Sequence, residues 1–378
     1  MPDEEKLITI CRRFRIGGEP VFFRPVPSGH INSAFHAAFD DGRETRQYLV
    51  QRINHYVFRD PVGMMRNIDL IGRHLAQRDP SAGPRERLHF HRTEEGDLCL
   101  LLGVGEGAEY WRVCDYIDGS VIFESGEGNA RVLRMAGKAF GRFDRLLSDL
   151  DPGRLIETIP HFHDTELRME TLFRTVEEDP FSRAAKAERE IALIRDNRDF
   201  AGTLCRKIRS GELPVRVTHN DTKTNNVLFD RDTLEPLAVI DLDTCMPGAI
   251  CFDFGDAIRF AACTAGEDEP DKGRMKLDLA LAEAFTEGFL GETADVLSDA
   301  ELDSLATGAA VITLELASRF LEDYLAGDRY FRTAVPGQNL TRARSQLALF
   351  EDMMRQENEM RAVISACAAR HTLRRREA

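Results

Sequence analysis

VTHNDTKTNNVLFDRDTLEPLAVIDLDT, residues 217–244, decides the fold. Two short apolar runs, VLF (227–229) and LAVI (237–240), flank the polar stretch DRDTLEP (230–236), the pattern of an antiparallel hairpin. The turn centres between Thr233 and Leu234, which sets Asn226, at the first strand's start, opposite Asp241, at the second's end. Paired strands lie roughly 4.8 Å apart, so two side-chain oxygens there can converge on one hard cation. Mg2+ takes oxygen ligands at about 2.1 Å and keeps waters or phosphate oxygens as its other partners. One carboxylate and one amide oxygen suit that preference.

Just ahead of this hairpin, Asp221 lies in the polar loop HNDTKTN. A carboxylate placed there can orient an attacking hydroxyl and accept its proton, assistance typically worth about 10²- to 10⁴-fold. Lys223 can reach a transferring phosphate and offset its developing charge. The spacing H-x-D-x-K-x-x-N, followed by a strand ending in Asp, is that of phosphoryl transfer on a kinase fold. The competing interpretation is a surface loop with chance acidic residues; the combination, not any one residue, speaks against it.

Several near-motifs are weighed beside it. Asp253-Phe254-Gly255 precedes a helical stretch instead of closing the hairpin, so the metal role falls to Asp241 and Asp253 reads as a buried brace for the catalytic loop. Gly103-x-Gly105-x-Gly107 lies between strands with no helix after it and reads as a hairpin turn. Ser28-Gly29-His30-Ile31-Asn32 sits between the first two strands, where a phosphate-covering turn belongs; Gly29, His30 and Asn32 are the candidates there. His89/His91 and His161/His163 have strand-like spacing without a third ligand and read as structural, and His219 as a loop brace.

Outward from the motif, the chain divides in two. Residues 4–16 place Leu7, Ile8, Cys11 and Phe14 on one helical face. Stretches 21–27, 33–40 and 45–53 are β-rich, with Asp41-Gly42 as a tight turn. A helix spans 61–77, its proline in the first turn. Strands follow at 87–92, 98–102 and 109–117, then a hinge near 114–120. Residues 129–149, 164–178 and 183–210 have helical period, 215–243 is a β island, and the chain beyond Asp253 reads as helical. The expected class is α+β: a bilobal, protein-kinase-like fold with a nucleotide-binding β-rich lobe (1–115) and a mainly helical catalytic and substrate-binding lobe (116–378). A crevice between lobes is where ligands bind.

Composition narrows the function. The 378 residues are 43% hydrophobic and 30% charged, the balance of a globular protein. A net charge of -14 excludes nonspecific nucleic-acid binding, which needs a basic face. The acidic N-terminus lacks a long apolar run, and no stretch approaches ~18 consecutive apolar residues, so neither export nor a membrane partner is expected. The eight cysteines are scattered without a Cys-x-x-Cys pair, which argues against disulfides and zinc and for the cytoplasm. A monomer is the default expectation.

At these residues the chain resembles the aminoglycoside phosphotransferase and choline kinase superfamily, and more narrowly the N-acetylhexosamine 1-kinases. The likeness is carried by SGHINSAF, YLVQRINHYVF with DPVGMMRNI, IPHFHDT, THNDTKTNNVLFD, VIDLDTCMPG with FDFGDAIRF, and SRFLEDYLAGDRYF followed by NLTRARSQLAL. It implies ATP and Mg2+ as cofactors, Asp221 as the catalytic aspartate, and Asn226 and Asp241 as metal ligands. It implies Arg52 beside the nucleotide phosphates, where an always charged fork can replace a lysine. Arg66 stands where that cation's acidic partner is expected. The segment from Cys114 through Asp115 to Ile117 becomes the hinge that meets adenine. Arg319 and Tyr330 are implied sugar contacts, with Asp221 beneath the anomeric hydroxyl of a small-molecule sugar substrate.

Other functions compete. Another small hydroxyl acceptor (aminoglycoside, choline or homoserine-like) is an alternative. About a dozen residues separate Asp241 from the next expected helix at Asp253, too few for a peptide-docking segment, which disfavours a protein acceptor. VIDLDT echoes the D-x-D of haloacid dehalogenase-type phosphatases, and a silent nucleotide-binding regulator is the remaining alternative.

Overall fold

A computed structural model describes residues 4–26 and 31–377. Its first unit begins with helix α1 (Glu4–Cys11) and strands β1 (Glu19–Val26), β2 (Ser33–Asp40) and β3 (Thr45–Ile53). Gly42, at φ 83°, closes the β2–β3 turn as expected, with the Asp41 carboxylate accepting from the Arg43 and Glu44 amides. Helix α2 (Pro61–Arg78) follows; Asp60 caps it by accepting from the Gly63 amide. Strands β4 (Phe90–His91), β5 (Leu100–Leu102) and β6 (Glu109–Asp115) complete a sheet of order β1-β2-β3-β6-β4, with β5 also on β6.

The two sheet faces do different work. Phe35, Ala37, Phe39, Tyr48, Val50, Trp111 and Val113 pack on Leu7, Ile10, Cys11 and Phe14. Ile10, not Ile8, completes the apolar face of α1. The opposite face carries Ile53 against Met64, Met65 and Ile68 of α2, in a cluster that continues to Val217, Leu242 and Cys245. The apolar core thus runs from the sheet into the segment that holds the chemistry.

The second unit contains β7 (Ser120–Val121), α3 (Ala130–Leu147) and α4 (Thr165–Glu178). The single helix expected over 183–210 is three short ones: α5 (Glu188–Asp196), α6 (Arg198–Ala201) and α7 (Thr203–Arg209). Asn197 folds its amide back on the Leu193 carbonyl and Gly202 ends α6, so local polar and glycine chemistry breaks the run. Strands β8 (Arg216–Thr218), β9 (Val227–Asp230), β10 (Pro236–Val239) and β11 (Met246–Gly248) form small ladders, β10-β9-β7 and β11-β8. Helices α8 (Ile250–Ala261), α9 (Leu279–Thr293), α10 (Asp299–Leu325), α11 (Gln338–Arg355) and α12 (Glu357–Glu377) follow.

Close helix contact fixes this unit. A Cβ on Gly308 of α10 would stand 2.1 Å from the Cys251 carbonyl oxygen of α8, and one on Gly255 of α8 would stand 2.5 Å from Gly308. Only hydrogen fits at that crossing. Among the described residues α10 is the one helix long and apolar enough to cross a membrane, but 83% of its most apolar stretch is buried in the protein. Its start is set by a capping box between Ser298 and Glu301.

Candidate active site

The loop between β8 and β9 carries Asp221, Lys223 and Asn226, and α8 shapes it from below. Asp253 accepts from the backbone amides of His219 (2.7 Å) and Asn220 (2.6 Å), the bracing role expected of it. Thr222 donates its hydroxyl to the Asp253 carbonyl, and Thr244 donates to the His219 carbonyl at 2.8 Å. His219 bridges to the Ile240 carbonyl at 2.9 Å, tying the loop to the end of β10. Asn220 holds φ at 63°, a turn secured by its side chain on the Thr218 and Thr244 carbonyls.

Held this way, three side chains meet. Lys223 Nζ lies 3.2 Å from Asp221 Oδ1. Asn226 Nδ2 donates to the Asp221 carbonyl (2.8 Å) and to Asp221 Oδ2 (3.1 Å). Those bonds fix the amide orientation and turn the Asn226 oxygen away from Asp221. Burial works to raise the Asp221 pKa, but Lys223, His219 and the Asn226 bond outweigh it and hold the carboxyl below its usual value. Lys223 is held charged above its usual range: burial opposes this, and Asp221, Asp256, Glu267 and Asp241 overcome it.

The hairpin register differs by one from the expectation. Ile240, not Asp241, pairs with Asn226: its amide donates to the Asn226 carbonyl at 2.8 Å. The turn centres one residue early, between Asp232 and Thr233, with Phe229 opposite Pro236 and the Asp230 amide donating to the Glu235 carbonyl; the irregularity between Pro236 and Ala238 restores one of the two positions lost. Asp241 then leaves the strand at φ 59°. It is solvent-exposed, yet protein encloses its crevice, so burial first, then Asp243 and Asp221, push its carboxyl up to about 6. A divalent cation would relieve that repulsion. Among the described residues no three His, Cys, Asp or Glu side chains form a metal group of their own. A carboxylate plus an amide oxygen, completed by phosphate and water, fits Mg2+.

The structure does not bring Arg52 to this set. Arg52 alternates with Tyr48 and Val50 onto the α1 side of the sheet, opposite Trp111 in register, with Nη1 3.3 Å from Glu109. Its acidic partner is therefore on β6. The cation facing the metal segment is Arg112, whose side chain and that of Asp243 form a fully buried ion pair. Asn32 does reach this segment: Nδ2 donates to Asp243 Oδ2 at 2.7 Å, while its oxygen accepts from the Asn54 amide at 2.9 Å. Gly29 and His30 lie outside the described residues. At the hinge, the Asp115 and Tyr116 amides donate to the His89 and Gln47 carbonyls, whereas the Ile117 amide has no partner among the described residues. Asn67 of α2 adds a further tie, donating to the Ile156 and Cys245 carbonyls.

Arg319 and Tyr330 do come together. The Arg319 guanidinium lies over Phe162 (5.1 Å), Phe331 (5.5 Å) and Tyr330 (5.8 Å) and 3.7 Å from Glu315. His163 links this cluster to the catalytic loop, bonding Glu315 through one nitrogen and the Asn220 carbonyl through the other. Nothing in the residues next to His163 or Glu315 marks that link. A cavity of about 1180 Å³ lies among α2, residues 82–92, α3 and β10; the hinge residue Asp115 lines it, whereas Asp221, Lys223, Asn226 and Asp241 do not. The D-x-D of 241–243 ends an antiparallel hairpin, which removes the doubly wound sheet that a haloacid dehalogenase needs.

Comparison with known proteins agrees with this geometry. The model of the APH phosphotransferase enzyme family matches residues 23–289. A microcompartment-associated aminopropanol kinase superimposes with a TM-score of 0.62 at 14% identity, over 94% of this chain and 98% of its own. An amicoumacin kinase solved with AMP-PNP, Ca2+ and Ami gives 0.60 at 14% identity, over 92% and 93%. Choline kinase from Cryptosporidium parvum gives 0.55 at 13%, over 94% and 96%. With a matching family model over most of its length and a protein-kinase-like fold around Asp221, the chain belongs to the APH phosphotransferase enzyme family and is a small-molecule kinase.

Proposed function

We propose that the protein transfers the γ-phosphoryl group of ATP, with Mg2+, to the anomeric hydroxyl of an N-acetylhexosamine, giving the sugar 1-phosphate and ADP. One observation carries the chemistry: the Asp221 carboxylate touches Lys223 with one oxygen and Asn226 with the other. Proton acceptor, phosphate-reaching cation and metal-facing amide are thus one hydrogen-bonded unit.

Asp221 orients the acceptor hydroxyl and takes its proton as the oxygen–phosphorus bond forms. The bond from γ-phosphorus to the bridging oxygen breaks, and ADP leaves with that electron pair. Lys223 offsets charge on the transferred group. Asn226 and Asp241 would hold Mg2+, which supplies charge neutralisation at the phosphates. Adenine would lie between the lobes of residues 1–115 and 116–378, against Ile117 and Asp115, with Asn32 steadying the covering turn. Eight buried free cysteines suit a reducing cytoplasm, where the chain would act as a monomer.

The acceptor cluster favours a neutral, hydroxyl-rich molecule over an amine. An ammonium acceptor needs an open carboxylate or aromatic face. Here Arg319 lies over Phe162, Phe331 and one side of the half-exposed Tyr330, Glu315 is held by His163, and Arg259 holds Glu267 and Asp256. The second Asp256 oxygen is sealed from solvent. Arg319 offers a planar donor fork for sugar hydroxyl or amide oxygens. The test is coupled ADP detection across N-acetylhexosamines, hexoses, choline, aminoalcohols and aminoglycosides, then phosphorus NMR of the product. Turnover confined to amine acceptors overturns the sugar assignment.

A further inference from the structure

His163 lies in the loop ahead of α4, and both its ring nitrogens face groups that can only accept. Nδ1 is 3.1 and 3.3 Å from the two Glu315 oxygens, and Nε2 is 3.1 Å from the Asn220 carbonyl oxygen. A neutral imidazole carries one N–H, so it would set a lone pair against one of these oxygens. Only the doubly protonated ring satisfies both. The pair is sealed, His163 at 10% and Glu315 at 1% side-chain exposure, and the ring stacks on Phe252 at 5.0 Å.

The groups around His163 decide its charge. Glu315 and Arg319 approach from α10, Asp253 from α8, and Arg168 from α4 bears on the same Glu315; the Cys205 thiol of α7 reaches the His163 carbonyl at 3.9 Å. Burial pulls the imidazole pKa down, and Glu315 more than reverses it, leaving His163 above its ordinary value. Glu315 is correspondingly held below its own, against burial, by His163, Arg319 and Arg168.

What His163 grips is the peptide that carries Asp221. The Asn220 carbonyl is bonded to the Asp221 nitrogen, whose own N–H points at His219 Nδ1 at 3.3 Å. One histidine therefore holds the oxygen of that peptide and another its N–H. That plane follows the left-handed Asn220, so the bonds at its two ends fix the backbone on which the Asp221 side chain is mounted.

We propose that His163 and Glu315 are a positioning pair: the imidazolium, kept charged by Glu315, locks the Asn220–Asp221 peptide so that the Asp221 carboxylate meets the acceptor hydroxyl. This rests on Asp221 being the catalytic carboxylate. When the ring loses its Nε2 proton, the Asn220 carbonyl is released and turnover falls, although no substrate touches His163.

The test compares wild type, Glu315→Gln and His163→Gln by kcat across pH 6–9.5 at saturating ATP and acceptor, with 15N NMR of the imidazoles in the free protein. Glu315→Gln should bring the basic limb of kcat down by about one pH unit or more. His163→Gln, whose amide donates at every pH, should remove that limb, with kcat lowered about tenfold and the ATP KM changed less than twofold. In wild type, the His163 resonance, assigned by its loss in His163→Gln, should remain doubly protonated at pH 7. A ring already neutral at pH 7, or a limb unmoved in Glu315→Gln, overturns the proposal. The NMR arm still decides if Glu315→Gln fails to fold. A wild type that phosphorylates no acceptor sinks the kinase function instead, and leaves the state of the ring to be read separately.

Discussion

The Arg112 guanidinium and the Asp243 carboxylate form a two-pronged ion pair, 3% and 2% exposed, that joins the β6 sheet to the segment just past Asp241. Arg112 Nη2 lies 3.1 Å from Asp243 Oδ2, which also accepts from Asn32 at 2.7 Å. Removing one partner strands a buried charge. Arg112→Met should cost about 3–5 kcal/mol, and pairing it with Asp243→Leu should recover much of that loss. Denaturant unfolding of the single and double variants measures both.

Asp221→Asn keeps the shape of the side chain and removes its proton affinity. The expected loss in kcat is about 10²- to 10⁴-fold, with ATP binding retained. Coupled ADP release and calorimetric nucleotide binding separate the two. Unchanged turnover would take Asp221 out of the chemistry.

The proposed acceptor contact is Arg319. Arg319→Ala should raise the acceptor KM by about tenfold, roughly 1.4 kcal/mol of binding, while the ATP KM stays constant. Steady-state kinetics with each substrate varied in turn gives the answer; equal rises in both would mean a structural role.

Asp144 of α3 is 4% exposed, and among the described residues no N–H or hydroxyl donor reaches its oxygens, so its carboxyl meets the Asp253 carboxyl beside it. Burial first, and the charge of Asp253 second, hold its carboxyl well above the usual range. A carboxyl bound more tightly to its proton in the folded state stabilises most at low pH. That advantage erodes as pH climbs from about 3.9, the unfolded value, toward the folded one. Asp144→Asn should therefore match wild type below about pH 4 and exceed its stability near neutrality by about 1 kcal/mol or more. Melting temperatures across that range check it, and a less stable Asn variant at pH 8 would show an ionised, paired carboxylate.

At the α8–α10 crossing, Gly308→Ala puts a methyl 2.1 Å from the Cys251 carbonyl oxygen. Overpacking of this kind costs typically about 1–3 kcal/mol. Because α8 carries Asp253, activity should fall with stability, and thermal denaturation beside an activity assay would show the two moving together.

The sequence was readable where the chemistry is local. Asp221, Lys223 and Asn226 sit in one loop, and their spacing alone brings them together. For Arg52, family likeness points to the nucleotide phosphates, but strand alternation points elsewhere: Tyr48 and Val50 are apolar, and Arg52 must share their face. The hairpin register departs from simple strand counting because Asp230 closes the turn one residue earlier, on the Thr233 amide, and the irregularity at Pro236 restores only part of that shift. His163 and Glu315 are 152 residues apart, and no periodic pattern in either stretch announces a partner. The same holds for Arg112 and Asp243, 131 residues apart. The first is set by how the loop ahead of α4 packs on α10 inside the second unit, the second by how the two units meet.

Between Asp241 and α8 there are only residues 242–249, and three of them, Met246 to Gly248, are laddered onto Thr218, Val217 and Arg216. Kinases that take orders from phosphorylation keep a long, movable stretch at this point. Here the place of such a throttle is stitched to the very strand that delivers Asp221. A stretch this short and this firmly paired leaves no slack between Asp241 and α8 for an added phosphate to reorder.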